Sequence, residues 1–146
     1  MRGNITRELG NFLNGAPCQV FFDNKKVQIE ADTILHPDVF VIRDRTDLAT
    51  DLIFRPPLLV VEVLSPNSPA YDRSAKFALY CRLPALLEHV MVDPDTRRVE
   101  AFRRDAAGEW VLHHMSDGPA LGLPFIEASV PMSEVFDGLD PPPVDA

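Results

Sequence analysis

Cysteine is scarce in this 146-residue chain: Cys18 and Cys81 lie far apart and form no short-spaced pair. That excludes a zinc-ligand motif and a disulfide framework, and leaves two reduced, mostly buried thiols as the expected state. Long apolar runs are also missing. No stretch approaches the roughly 18 consecutive apolar residues that a spanning helix needs. The opening "MRGNITRELG" lacks the apolar core of a signal peptide. A cytoplasmic location without membrane contact is the expectation. Positive charge is in deficit, with 14 Lys and Arg against 22 Asp and Glu and a net charge of -8. Bulk electrostatic capture of nucleic acid is therefore disfavoured, although a local basic groove stays open. No internal repeat is present. Ser65 has no G-x-S-x-G context, which removes a hydrolase triad.

What is present is an ordinary globular composition, 46% apolar and 25% charged, punctuated by 14 prolines. The length suits one domain, expected over residues 1–139, with "DPPPVDA" (140–146) as a loose Pro-rich tail. Leu9, Phe12 and Leu13 follow helical spacing and Gly15 is a suitable stop, so a helix is expected to end there. "CQVFFDNKKVQIE" carries two β-rich runs around "DNKK", a hairpin signal, and "DVFVIRD" (38–44) reads as a third strand. "LLVVEVL" reads as a central strand covered on both faces. A helix is expected from about residue 69. After it come three strands, "LEHVMVD", "RRVEAFRR" and "EWVLHHM", joined by "PDT" and "DAAG", and a short amphipathic segment at "MSEVFDGL". The class is α/β (α+β), with a C-terminal β-meander.

Glu62 stands out inside the central strand. Alternation places Leu58, Val60, Glu62 and Leu64 on one face and Leu59, Val61, Val63 and Ser65 on the other. An unpaired carboxylate there would cost several kcal/mol or titrate to its neutral form. A metal ion or a lysine would accept it. Asp38, at the head of the third strand, and Lys76, in the following helix, are the candidate partners. On that helix Asp72, Lys76 and Tyr80 share one stripe beside an apolar stripe of Ala75, Leu79 and Leu83. An Asp72–Lys76 surface pair and a Tyr80 with a solvated hydroxyl explain the same spacing without a site. Two carboxylates and a lysine are also what metal-assisted phosphodiester hydrolysis requires. A glycosidase using the two carboxylates leaves Lys76 unexplained.

"HPDVFVIRD", "PPLLVVEVLSPNSPAYDRSAKFALYCRLPALLEHVMVDPDTRRVEAFRR" and "GEWVLHHM" with "LGLPFIEASVPMSEVF" closely resemble the Uma-type restriction endonucleases. These form a bacterial family within the PD-(D/E)xK nuclease superfamily, and the resemblance runs from about residue 5 to 139. It implies a restriction-endonuclease-like core, a mixed β-sheet flanked by helices. It also implies a Mg²⁺- or Mn²⁺-dependent endonuclease acting on DNA. Asp38 and Glu62 match the metal ligands, with the backbone carbonyl of Val63 as a third. Leu64 stands where the usual lysine of E-x-K is expected, and Lys76 matches a lysine displaced to the helix. Asp72 and Tyr80 match the family's helix pattern as supporting residues. His36 could reach the site, but a turn residue before Pro37 is the safer reading. Family members generally carry an additional N-terminal region, so either an N-terminally truncated member or a misplaced start is the reading, with activity depending on the absent part. The alternative is an inactive nuclease-fold protein acting in assembly or DNA association. Edge strands make a homodimer plausible.

Two further groups read as structural. Asp93 and Asp95 in "VDPDT" are expected turn formers. His113 and His114 face opposite ways on one strand. Arg97, Arg98, Arg103 and Arg104 read either as a solvated face or, with Lys25, Lys26, Arg43, Arg45, Arg55 and Arg73, as a DNA-facing groove.

Overall fold

Valine-rich and isoleucine-rich runs bounded by turn residues set up the frame, and the strands they form pair into one large mixed sheet. The computed structural model describes residues 19–22, 26–30, 33–42, 52–53, 57–64, 70–115, 118–126 and 128–136. Strands β1 (Gln19–Phe22), β4 (Val39–Ile42), β6 (Leu59–Val63), β7 (Glu88–Asp93), β8 (Arg98–Arg104) and β9 (Trp110–His114) lie side by side in that order. Only β6 and β7 run parallel; every other neighbouring pair is antiparallel. A parallel pair needs a crossover, and helix α1 (Ala70–Tyr80) lies in that connection. This is the expected mixed sheet, and β7–β8–β9 is the expected meander.

The turns between those strands use side-chain chemistry written in the sequence. Asp93 Oδ1 accepts hydrogen bonds from the backbone N–H groups of Asp95 and Thr96, closing β7 onto β8. Asp105 Oδ1 does the same for Ala107 and Glu109 at the β8–β9 turn, where Gly108 takes a φ of 81°. A side chain at that φ would be strained, so glycine suits the position.

The two faces of the sheet bury different cores. On one, Phe40, Ile42 and Val60 pack with Tyr80, Leu83 and Leu86 of the helical segment and with Val27. Val27 belongs to a small sheet of β2 (Lys26–Glu30), β3 (Thr33–Leu35) and β5 (Leu52–Ile53). On the other face, Val39, Val41, Leu59, Val61, Val90 and Val92 meet a hairpin of β10 (Ala120–Leu123) and β11 (Ala128–Pro131). The short helix α2 (Met132–Val135) closes that side with Val135 and Phe136. Burying each such side chain contributes about 1.5–3 kcal/mol.

Several expectations change. The runs around "DNKK" both form strands, but β1 pairs with β4 while β2 joins the small sheet, so they do not form a hairpin with each other. Leu58 packs with the core opposite to Val60, because the regular strand starts at Leu59 and the alternation does not extend back across the bend. Of the expected apolar stripe, Leu83 is buried and Leu79 half-buried while Ala75 is exposed, and Tyr80, with a half-buried Phe77, supplies the rest of the covered side of α1. The predicted helix before Gly15 and the tail lie outside the described residues, as does Cys18. No helix among the described residues is long and apolar enough to cross a membrane.

Candidate metal centre

The register of β4 against β6 pairs Val39 with Val61. Continued by one residue, it sets Asp38 directly across from Glu62, both on the face that α1 covers. The sequence brings them together through two short apolar strands whose pairing admits little slippage, since a one-residue shift would turn every buried valine outward. Asp38 Oδ2 also accepts a 2.7 Å hydrogen bond from the Val63 N–H. This fixes the Asp38 carboxylate against the end of β6. Leu64 donates its N–H to Val92 O on the β7 side. Val63 therefore turns both its backbone groups the other way, toward Asp38.

Tyr80 is buried, and its phenol donates a 3.0 Å hydrogen bond to Glu62 Oε1. Its hydroxyl is therefore not solvated. Burial and the neighbouring Glu62 charge both push the phenol above its ordinary pKa, which keeps it a donor. Glu62 itself is raised to about 7. Burial is the main cause, followed by the negative charge of Asp38, while the Tyr80 hydrogen bond and the positive charge of Lys76 pull it down. Lys76 is exposed, one helical turn before Tyr80 on the same stripe, and its charge is felt at Glu62. Leu64, in the place of the usual lysine, lines a cleft between α1 and the sheet.

Two carboxylates facing each other, one of them raised chiefly by burial and further by the other's charge, form a site short of positive charge. An oxygen-only donor set of this kind suits a hard divalent cation, Mg²⁺ or Mn²⁺. Among the described residues no three His, Cys, Asp or Glu side chains converge, so waters and a backbone carbonyl would complete the shell. Val63 offers its carbonyl on the correct side. His36 is exposed, two residues before Asp38 in the approach to β4. The Asp72 side chain lies outside the described residues.

The same signal that marks Glu62, an ionisable group inside a buried strand, stands at Glu88 and His89. Glu88 Oε2 accepts from Arg103 Nε at 2.8 Å, and Arg103 Nη2 donates to Gly122 O at 2.6 Å, tying β7 and β8 to the covering hairpin. Burial raises the Glu88 carboxyl while Arg103 lowers it. His89 faces α1, its ring 5.0 Å from that of Phe77 and 5.4 Å from that of Tyr80. Burial lowers it to about 4, so it is neutral, and neither ring nitrogen has a hydrogen-bond partner among the described residues. Arg104 donates to the carbonyls of Cys81, Leu83 and Leu86 after α1 and lies over the Trp110 ring at 4.4 Å. Arg97 lies over Phe136. Arg103 and Arg104 thus tie elements of the fold together rather than forming a solvated face, and Arg98 opens onto the cleft; Lys25, Arg43, Arg45, Arg55 and the Arg73 side chain lie outside the described residues.

Comparison with known proteins adds the family context. The sequence model of the family Uma2, described as "Putative restriction endonuclease", matches residues 1–132. "Uncharacterized protein slr1290" of Synechocystis sp. (strain ATCC 27184 / PCC 6803 / Kazusa) is 32% identical over 130 residues, covering 88% of this chain and 68% of that protein. "Uncharacterized protein sll1609" of the same organism is 27% identical over 112 residues, covering 75% and 63%. The chain thus spans about two thirds of the length of either relative. A crystal structure from Anabaena variabilis ATCC 29413, titled as a "putative nuclease belonging to DUF820", superposes with a TM-score of 0.72. The match covers 92% of this chain and 77% of that one at 14% identity, which establishes a shared fold.

Proposed function

Since this chain belongs to the family Uma2, described as "Putative restriction endonuclease", we propose that it is a Mg²⁺- or Mn²⁺-dependent endonuclease hydrolysing DNA phosphodiester bonds. The observation that carries the reading is the pairing of Asp38 with Glu62 across β4 and β6, beside a helix that delivers Tyr80 and Lys76. A bound divalent cation would polarise a phosphoryl oxygen and lower the pKa of a coordinated water. Asp38 and Glu62 would hold it, with the Val63 carbonyl as a third protein oxygen. Asp38 is oriented for this by the Val63 N–H, and Glu62 by the Tyr80 hydroxyl. Lys76, exposed at the rim, would orient the attacking water and offset charge developing on the phosphate. Its place on the helix substitutes for the strand lysine that Leu64 replaces.

The test is nicking of supercoiled plasmid by purified protein with Mg²⁺ or Mn²⁺. Wild type should nick, EDTA should stop it, and Glu62→Ala and Lys76→Ala should each abolish it. Equal nicking by the variants would mark a contaminant and remove the claim. Absent nicking together with absent Mn²⁺ binding would favour an inactive nuclease fold acting in assembly or DNA association.

A further inference from the structure

Beside the carboxylate pair, α1 and the sheet leave a cleft of about 470 Å³, within the range of small-molecule sites. The strand registers locate it. Glu62 pairs with Met91, and Met91 with Glu100, so the three side chains form one row across β6, β7 and β8 on the α1 face. Phe77 and Phe102, their ring centroids 4.6 Å apart, make one end of the cleft apolar, and Met91 contributes to its lining. Asp93, Arg98 and Glu100 make the other end charged. Asp93 spends one carboxylate oxygen on its own turn. The side chains of Glu100 and Arg98 engage no partner among the described residues.

We infer that this cleft binds an unpaired guanine base of the substrate strand, next to the phosphodiester held at Asp38 and Glu62. The inference rests on the nuclease reading of that site. Flat apolar faces suit the Met91 and phenylalanine surface, since stacking of a base on aromatic and apolar side chains tolerates any π-face. The charged end then chooses among bases. Guanine alone of the four presents two adjacent donors, N1–H and the 2-amino group, on one edge and two acceptors, O6 and N7, on another. A carboxylate takes the donors and a guanidinium takes the acceptors. Glu100 and Arg98 are two residues apart on one strand face, about 7 Å, a spacing that spans a purine. Two strand spacings, about 10 Å, separate Glu62 from Glu100. One nucleotide bridges that distance from its phosphate to the far edge of its base. Because the donor edge of guanine is the one used in base pairing, the base must be single-stranded or turned out of the duplex. Acidic groups this close to a phosphate backbone would otherwise only repel it.

Equilibrium dialysis of the full chain in EDTA against dGMP, dIMP and dAMP tests the assignment without requiring activity. The expected result is binding of dGMP, with dIMP weaker by about tenfold for want of the 2-amino group, and dAMP weaker still. Glu100→Gln and Arg98→Ala should each reduce dGMP binding by about tenfold, and neither replaces a group on which the fold depends. Equal binding of the three nucleotides, or dGMP binding unchanged in both variants, would overturn it. Plasmid nicking run alongside separates the two readings. Metal-dependent nicking without guanine discrimination overturns the cleft assignment alone. Guanine discrimination without nicking supports the cleft and sinks the nuclease.

Discussion

Tyr80, buried at the C-terminal end of α1, gives its phenolic hydrogen to Glu62 Oε1 at 3.0 Å, joining the helix to the carboxylate at the end of the central strand. The bond favours the ionised carboxylate and so opposes the burial that raises Glu62. Tyr80→Phe keeps the ring packing and removes only the hydroxyl. The Glu62 pKa should rise further and Mn²⁺ affinity at pH 7 should fall several-fold, with a stability cost of about 1 kcal/mol. Calorimetric titration of both proteins with Mn²⁺ checks this. An unchanged affinity would mean that the hydroxyl does not tune the carboxylate.

The raised Glu62 carboxyl makes folding stability fall as pH rises. With its pKa at about 7 in the folded protein against 4.5 for the free side chain, the folded state binds the proton more tightly. The contribution is therefore fully present below about pH 4.5 and is lost as pH rises through about 7. Its size is on the order of 3 kcal/mol. In EDTA, Glu62→Gln should be more stable than wild type at pH 8, and the two should converge near pH 4.5. Urea unfolding at several pH values measures the difference, in which the opposite acid-side dependence of His89, common to both proteins, cancels. A constant difference across that range would contradict the assigned shift.

Arg103 and Glu88 form an ion pair whose carboxylate is fully buried between the sheet and the β10–β11 hairpin. Arg103→Ala leaves that carboxyl without its partner and should destabilise the protein by about 3–5 kcal/mol. Arg103→Met combined with Glu88→Leu removes both charges and should recover most of the loss. Chemical denaturation of the single and double variants tests both statements. A double variant as unstable as the single would show that packing rather than charge is at stake.

Much of this was readable in the residues, for identifiable reasons. The strands of the β7–β8–β9 meander are joined by aspartate and glycine turns whose chemistry is local, and the central strand is an apolar run set between prolines. The Asp38–Glu62 pairing follows from strand register, and the family resemblance reached the same residues. The pairing of β1 and β2 was not legible, because strand choice among partners depends on distant apolar surfaces. Nor was the buried edge of α1. With Phe77 and Tyr80 spaced i, i+3, the helix turns two aromatic rings inward, while Ala75 of the expected aliphatic stripe stays exposed. The arginines mislead for a related reason: a long side chain can run under the surface to reach carbonyls that sequence does not reveal.

Anomalous scattering from a crystal soaked in Mn²⁺ tests the central claim most directly. The account predicts one peak between the carboxylates of Asp38 and Glu62, at about 2.0–2.2 Å from their oxygens, that disappears in Glu62→Ala. Well-ordered carboxylates with no peak between them, in protein that binds Mn²⁺ elsewhere, would contradict it.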